Sequence, residues 1–200
     1  MLLDGKVGVI SASNGTINPL RTLTDGALVT TGYGGRLTDA AIQGRLFSVC
    51  NQAAVAITAA LATTWTGLGV ANPSGSGKNL IFHEFGWAQS VVNPAEGVIG
   101  LMTSTDSGMA AALTVKCAMA GKGVSVAYAD DGATIATPIL ERVCGGTMEG
   151  AITTIPGMPI TIYRIDGGII LPPGRSLLTY HTIGGTASLV FHFVWEEVPE

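Results

Sequence analysis

Charge is scarce in this chain. Asp, Glu, Lys and Arg together make up 12% of its 200 residues, against about 25% in an ordinary globular protein. A surface so poor in charge is either kept soluble by neutral polar groups or largely covered. Twenty-two threonines and 28 glycines, with serine and asparagine, supply the first option. A buried subunit interface supplies the second, because interface cores are depleted in charge. The net charge is −4, and the ten lysines and arginines are scattered without a basic stripe. That pattern argues against nucleic acid as a partner.

Long apolar runs are missing as well. Hydrophobic residues reach 47% and mean hydropathy is +0.45. Yet no run of about 18 apolar residues escapes a polar break, so neither a membrane-spanning helix nor a membrane partner is expected. The opening MLLDGKVGVISASNG has no basic segment and carries Asp4, a poor signal peptide. Cysteine is limited to Cys50, Cys117 and Cys144, an odd number without Cys-x-x-Cys spacing. Their apolar neighbours predict small buried thiols, in a protein made in a reducing cytoplasm.

Catalytic constellations are the third absence. His83, His181 and His192 show no metal-ligand spacing. If the strands of His181 and His192 pair, the expected use of both rings is hydrogen bonding on a strand face. His83 and Glu84 are adjacent on an expected strand and so are expected on opposite faces. No Gly-x-Ser-x-Gly elbow occurs, and Cys144 has no evident base. Asp130-Asp131-Gly132 lacks the closing glutamate of a calcium loop and reads as a hairpin turn. Glu196 and Glu197 fall on opposite strand faces, so they are no acid/base pair. The expectation is no enzyme, no cofactor and no metal.

Strand-forming segments fill most of the chain. Runs of five to ten residues rich in Val, Ile, Thr, Phe and Tyr alternate with Gly, Pro, Asn and Asp. The clearest is the last, ASLVFHFVWEEV. Period-2 alternation puts Leu189, Phe191, Phe193 and Trp195 on one face and Val190, His192, Val194 and Glu196 on the other. Others are TTWTGLGV, NLIFHEFGWAQSVV, GVIGLMTS, GVSVAYA, TPILERVCG and ITIYRI. GGIILPPGRSLLTYHT reads as strand, Pro172-Pro173-Gly174 corner, strand. Such spacing indicates an all-β sandwich or barrel. In DAAIQGRLFSV alanine permits a helix, and STDSGMAAALTVKC has room for a helical turn. In NQAAVAITAALATTW, β-branched Val55, Ile57 and Thr58 favour strand. Residues 1–43 lack a long periodic run; they form either an extended arm on a neighbouring subunit or edge strands of their own sheet. Residues 44–200 make the β-sandwich domain. No internal repeat is evident.

One stretch imitates a nucleotide-binding loop. NPSGSGKNLIF, Asn72 to Phe82, places Gly77-Lys78 before an apolar run. The Walker rule wants glycine where Asn72 stands and a hydroxyl where Asn79 stands, with a helix after them. The residues after Lys78 read instead as a strand, and phosphate binding needs the helix N-terminus. The stretch is therefore a strand-connecting loop, with Pro73, Gly75 and Gly77 supplying its turns.

Three stretches together carry a resemblance. They are GRLFSVCNQAAVAITAALATTWTGLGVANPSGSGKNLIF (44–82), DGGIILPPGRSLLTYHT (166–182) and the closing FHFVWEEVPE. They resemble a group of tailed-bacteriophage virion proteins that share an Asn-Pro-x-Gly-x-Gly-Lys-Asn turn, a Leu-Pro-Pro-Gly corner and a final Trp-Glu-Glu-Val-Pro strand. The resemblance covers about two thirds of the chain and brings no catalytic residues with it. It implies a jelly-roll virion component, best matched to capsid decoration or cement proteins. Implied partners are the chain itself, as a homotrimer before a dimer, and the major capsid protein. The implied location is the capsid surface, after synthesis in the host cytoplasm. Lys78 then stands as a tip charge facing an acidic patch, while Phe191, Phe193 and Trp195 are candidates for interface or packing. The alternative is a tail, baseplate or head-fibre module that binds a host glycan. It would draw on Trp65, Trp87 and Trp195, which core packing explains as well.

Overall fold

The computed structural model describes residues 37–90, 96–105, 108–147 and 160–200. Most of the segment 1–43 lies outside the described residues; its last part holds one short helix, α1 (Thr38–Ile42). After a turn, the stretch DAAIQGRLFSV becomes strand from Leu46 on. Gly44, at φ +73°, ends the helix, and the amides of Gly44 and Arg45 donate back to Ala41 and Ala40.

Eleven strands complete the described chain: β1 (Leu46–Cys50), β2 (Val55–Ile57), β3 (Thr64–Asn72), β4 (Lys78–Gln89), β5 (Gly97–Ser104), β6 (Lys116–Cys117), β7 (Tyr128–Thr134), β8 (Ile139–Thr147), β9 (Thr161–Leu171), β10 (Arg175–His181) and β11 (Gly185–Pro199). They form two antiparallel sheets. One runs β6-β1-β11-β4-β9, with β2 added on β11; the other runs β7-β3-β10-β5-β8. The main strands pair as a folded-over ladder, first half against second half in reverse. β1 takes β11, β3 takes β10, β4 takes β9 and β5 takes β8. Every step along that ladder changes sheet except β5 to β8. This is the jelly-roll form of a β-sandwich, as the strand spacing and the resemblance predicted.

Aromatic side chains build the core from one sheet. Phe47 on β1, Phe82, Phe85 and Trp87 on β4, and Phe191, Phe193 and Trp195 on β11 all point inward and are buried. Their rings touch in series, with Phe85 against Phe193 at 5.1 Å and Phe82 edge-on to Phe193 at 5.6 Å between centroids. Strict alternation along β4 would turn half of this set outward. A bulge prevents it: between Val194 and Trp195 of β11, β4 steps from Glu84 to Phe82 and leaves His83 as the extra residue. Leu80 and Phe82 before the bulge and Phe85 and Trp87 after it therefore share one face.

The inner strands of the other sheet are buried on both faces. Leu68, Val70 and Leu177 point into the aromatic core. Trp65, Ala71, Met102 and Leu178 point the other way, into a second cluster closed by Met109 and Ile135. A bulge in β3 joins the two regions. Gly67 and Leu68 together oppose Asp131, Thr179 Oγ1 accepts from the Leu68 amide at 3.0 Å, and Trp65 Nε1 donates to the Thr179 carbonyl at 2.9 Å. A Cβ on Gly67 would overlap the Thr179 hydroxyl, so glycine is required there.

Several sequence expectations shift. Only the end of GVSVAYA is strand: pairing begins at Tyr128 and runs through Asp130-Asp131-Gly132, the expected turn. Asp130 is buried and its Oδ1 accepts from the amides of Asp131 and Gly132 at 2.8 and 3.2 Å, so the side chain supplies a local turn-like bond inside a strand. The NQAAVAITAALATTW stretch yields only β2 and an isolated bridge from Ala59 to His181. The described part of STDSGMAAALTVKC holds β6 and no helix.

Candidate functional site

The imitation nucleotide loop is an architectural corner. Lys78 opens β4, so a strand stands where a phosphate site needs a helix. Asn72, at the end of β3, is fully buried. Its Nδ2 donates to the Lys78 and Leu171 carbonyls, each at 2.8 Å, and its Oδ1 accepts from Ser76 Oγ at 2.6 Å. The Gly174 amide donates to the Asn72 carbonyl at 2.8 Å. One asparagine thus ties the β3–β4 turn to the Pro172-Pro173-Gly174 turn, two of the corners where the chain changes sheet.

Lys78 is not a free tip charge. Its Nζ lies 2.9 Å from Glu197 Oε2, and the Glu197 side chain is wholly buried. That carboxylate also accepts from Ser125 Oγ at 2.5 Å and the Val126 amide at 3.0 Å. It anchors the segment leading into β7. The three motifs that carry the resemblance therefore meet at this corner, with Asn72 and Lys78 from the first, Leu171 from the second and Glu197 from the third. Their chemistry is mutual satisfaction of buried polar groups.

Phe191, Phe193 and Trp195 lie in the core, as do Trp65 and Trp87. All five phenylalanines of the chain (Phe47, Phe82, Phe85, Phe191 and Phe193) and all three tryptophans are internal. The three tryptophans named for a glycan site are therefore not exposed stacking surfaces; Tyr128 is the exposed aromatic on β7.

The bulge in β4 corrects the reading of His83 and Glu84. Both reach the outer face of their sheet, where His83 Nε2 is 3.7 Å from Glu196 Oε2 and Glu84 Oε1 is 3.0 Å from His192 Nε2. Arg45 closes the ladder through an ion pair with Glu196. The result is an alternation of acid and base on one sheet face. Among the described residues no group of three His, Cys, Asp or Glu is placed to hold a metal ion. His181 belongs to the other sheet and is buried, its Nε2 2.9 Å from Thr147 Oγ1. Asn51, which sequence reasoning passed over, is a second buried pin: its Oδ1 accepts from the Phe191 amide at 2.6 Å.

The cysteines only partly match expectation. All three are free, but Cys50 is exposed and Cys117 and Cys144 are half-buried. Cys50 ends β1 just past the last core position, which turns its thiol outward. Burial pushes the Cys144 thiol up to about 11, against a smaller opposing pull from Arg142.

The exposed apolar residues are not scattered. Thirteen large ones are exposed among the described residues. Six occupy or adjoin β8 and β9, the edge strands that end the two sheets on one flank: Ile139, Leu140, Val143, Ile160, Ile162 and Ile170. Arg142 bridges these edges by donating to the Gly168 carbonyl at 2.6 Å. Beside it lies a cleft of about 270 Å³ floored by Ile169, Leu171 and Pro172 and rimmed by Glu141 and Arg175. On the opposite flank, β6 and β7 end the sheets. The loop between them exposes Met119 and Val124, and β7 exposes Tyr128.

Comparison with protein-family models, with curated proteins and with solved structures finds no match to this chain.

Proposed function

We propose that this chain is a bacteriophage virion structural protein of the capsid decoration type. In this reading it self-associates, docks on the major capsid protein and thereby stiffens the head. The observation that carries the reading is the distribution of its side chains. The phenylalanines, the tryptophans and the Glu197 carboxylate are committed to the interior of a jelly roll, while large apolar residues gather on its two flanks. A scaffold that tiles a surface needs a rigid body and contact-forming edges, and this division supplies both. The motifs behind the virion resemblance are consistent with such a role, because they build the corner that holds the body together.

The test is co-sedimentation of purified protein with expanded, emptied capsids of the phage that encodes it. Saturable binding at a fixed number of copies per capsid is expected, with a higher capsid melting temperature. No binding at micromolar protein would overturn the decoration reading.

A further inference from the structure

We propose that the Asp166-Gly167 peptide is a site of spontaneous backbone modification, at which aspartate isomerises to isoaspartate through a cyclic imide. The site lies on the edge strand β9, where the pairing with β4 breaks. β4 advances from Phe82 to Glu84 with His83 alone between them, while β9 steps from Ile169 back to Arg164. Ile165, Asp166, Gly167 and Gly168 are thus outside the ladder. Ile165 is buried and anchors this excursion in the core, whereas Asp166 is exposed. Asp166 has φ +54° and Gly167 has φ +79°, the left-handed pair of a type I′ turn, for which Asp-Gly is a preferred sequence.

The chemistry needs an aspartate carboxyl, an unhindered peptide nitrogen after it, and a backbone able to rotate. The Gly167 nitrogen attacks the carboxyl carbon of the Asp166 side chain. A C–N bond forms and a C–O bond breaks; the oxygen leaves as water, taking the amide proton and the proton of the acid. The five-membered imide then takes up water at either carbonyl. Opening at the main-chain carbonyl gives isoaspartate, whose backbone passes through Cβ and Cγ and is one carbon longer. Glycine favours the attack, because it has no Cβ to obstruct it and the widest backbone freedom. The other Asp-Gly pair among the described residues, Asp131-Gly132, lacks that freedom. Gly132 is paired with Thr66, and its amide donates to Asp130 Oδ1 at 3.2 Å. Attack there has to wait for local opening of the strand. At Asp166 the product also has a structural consequence. The Gly168 carbonyl, at the far end of the turn, accepts from Arg142 Nη2 at 2.6 Å, a bond that joins β8 of one sheet to β9 of the other. A longer backbone in the turn displaces that carbonyl, so isomerisation loosens the flank.

The experiment holds the full chain at physiological temperature and pH for several weeks and maps isoaspartate by electron-transfer fragmentation of its peptides. Isoaspartate should accumulate at Asp166. At Asp131 it should form at least about tenfold more slowly, the factor that ~1.4 kcal/mol of local opening brings. Asp166→Asn should raise the rate, because ammonia leaves more readily than water. Asp166→Glu should abolish the product, because a six-membered imide forms far more slowly. The aged form, separated by ion exchange, should exchange the backbone amides of β8 and β9 with deuterium faster than fresh protein does. No isoaspartate at Asp166, or equal rates at Asp131 and Asp166, overturns the proposal. Unchanged deuterium exchange in the aged form overturns the loosening of the flank alone.

Discussion

Glu197 shows how one residue changes meaning between sequence and structure. Extending the alternation of Leu189, Phe191, Phe193 and Trp195 by two places it on the core face, yet two adjacent glutamates near a chain end suggest solvent. The structure obeys the alternation and buries the carboxylate among Lys78, Ser125 and the Val126 amide. Glu197→Ala should therefore destabilise by about 2–4 kcal/mol, since it orphans a buried donor and breaks an ion pair with one fully buried partner. Phe193→Ala should cost a similar ~3–5 kcal/mol through its cavity. Thermal melts of the two variants check this; a silent Glu197→Ala would mean that water replaces the carboxylate at no cost. Because Lys78 is committed to Glu197 and begins a strand, ATP titrated into the protein should give no heat beyond dilution. At Cys144, burial keeps the thiol protonated well above neutral pH, its value lying at about 11. At pH 8 iodoacetamide should label exposed Cys50 first and Cys144 last, as read by mass spectrometry. Faster labelling of Cys144 would place it nearer to solvent than the structure does.

At the scale of elements, a bulge accounts for the face that His83 takes against expectation. Period-2 reasoning assigns faces correctly only while pairing is regular, and one extra residue reverses every later assignment. His83 is such a residue, which is why it shares a face with Glu84. The bulge also brings Gly86 beneath the ring of His192, where a Cβ would overlap the imidazole. Gly86→Ala should therefore displace His192 from Glu84 and cost about 1–3 kcal/mol, measured by denaturant unfolding; an unchanged midpoint would show the ring free to move aside. β11 is the element most central to the sheet, with partners on both sides. Deleting residues 187–200 should give insoluble protein, because four large core side chains leave together. Removing only Glu200 loses one backbone bond, from its amide to the Gly77 carbonyl, and should shift the melt little.

For the whole molecule, no cross-link contributes to stability: the three thiols are free, so dithiothreitol should leave the melting temperature unchanged. A fall of several degrees, about a kcal/mol for a domain of this size, would reveal a covalent tie. The sequence by itself determined the class of fold. β-branched and aromatic runs broken by Gly, Pro and Asn admit few solutions besides a sandwich, and the final segment ASLVFHFVWEEV, apolar on both faces, had to be internal. The sequence also determined that Gly77-Lys78 begins a strand, because no helix-forming segment comes after it. Tertiary structure alone decided which polar groups were buried and where the exposed apolar residues gathered. Asn72, separated from Leu171 by about a hundred positions, finds its partners only when two corners meet. The apolar flanks are likewise invisible locally, since β8 and β9 become edges through the order of strands in two sheets. Period and propensity act over a few residues, whereas pairing order and burial are set by contacts between distant segments, and the candidate site here consists entirely of the latter.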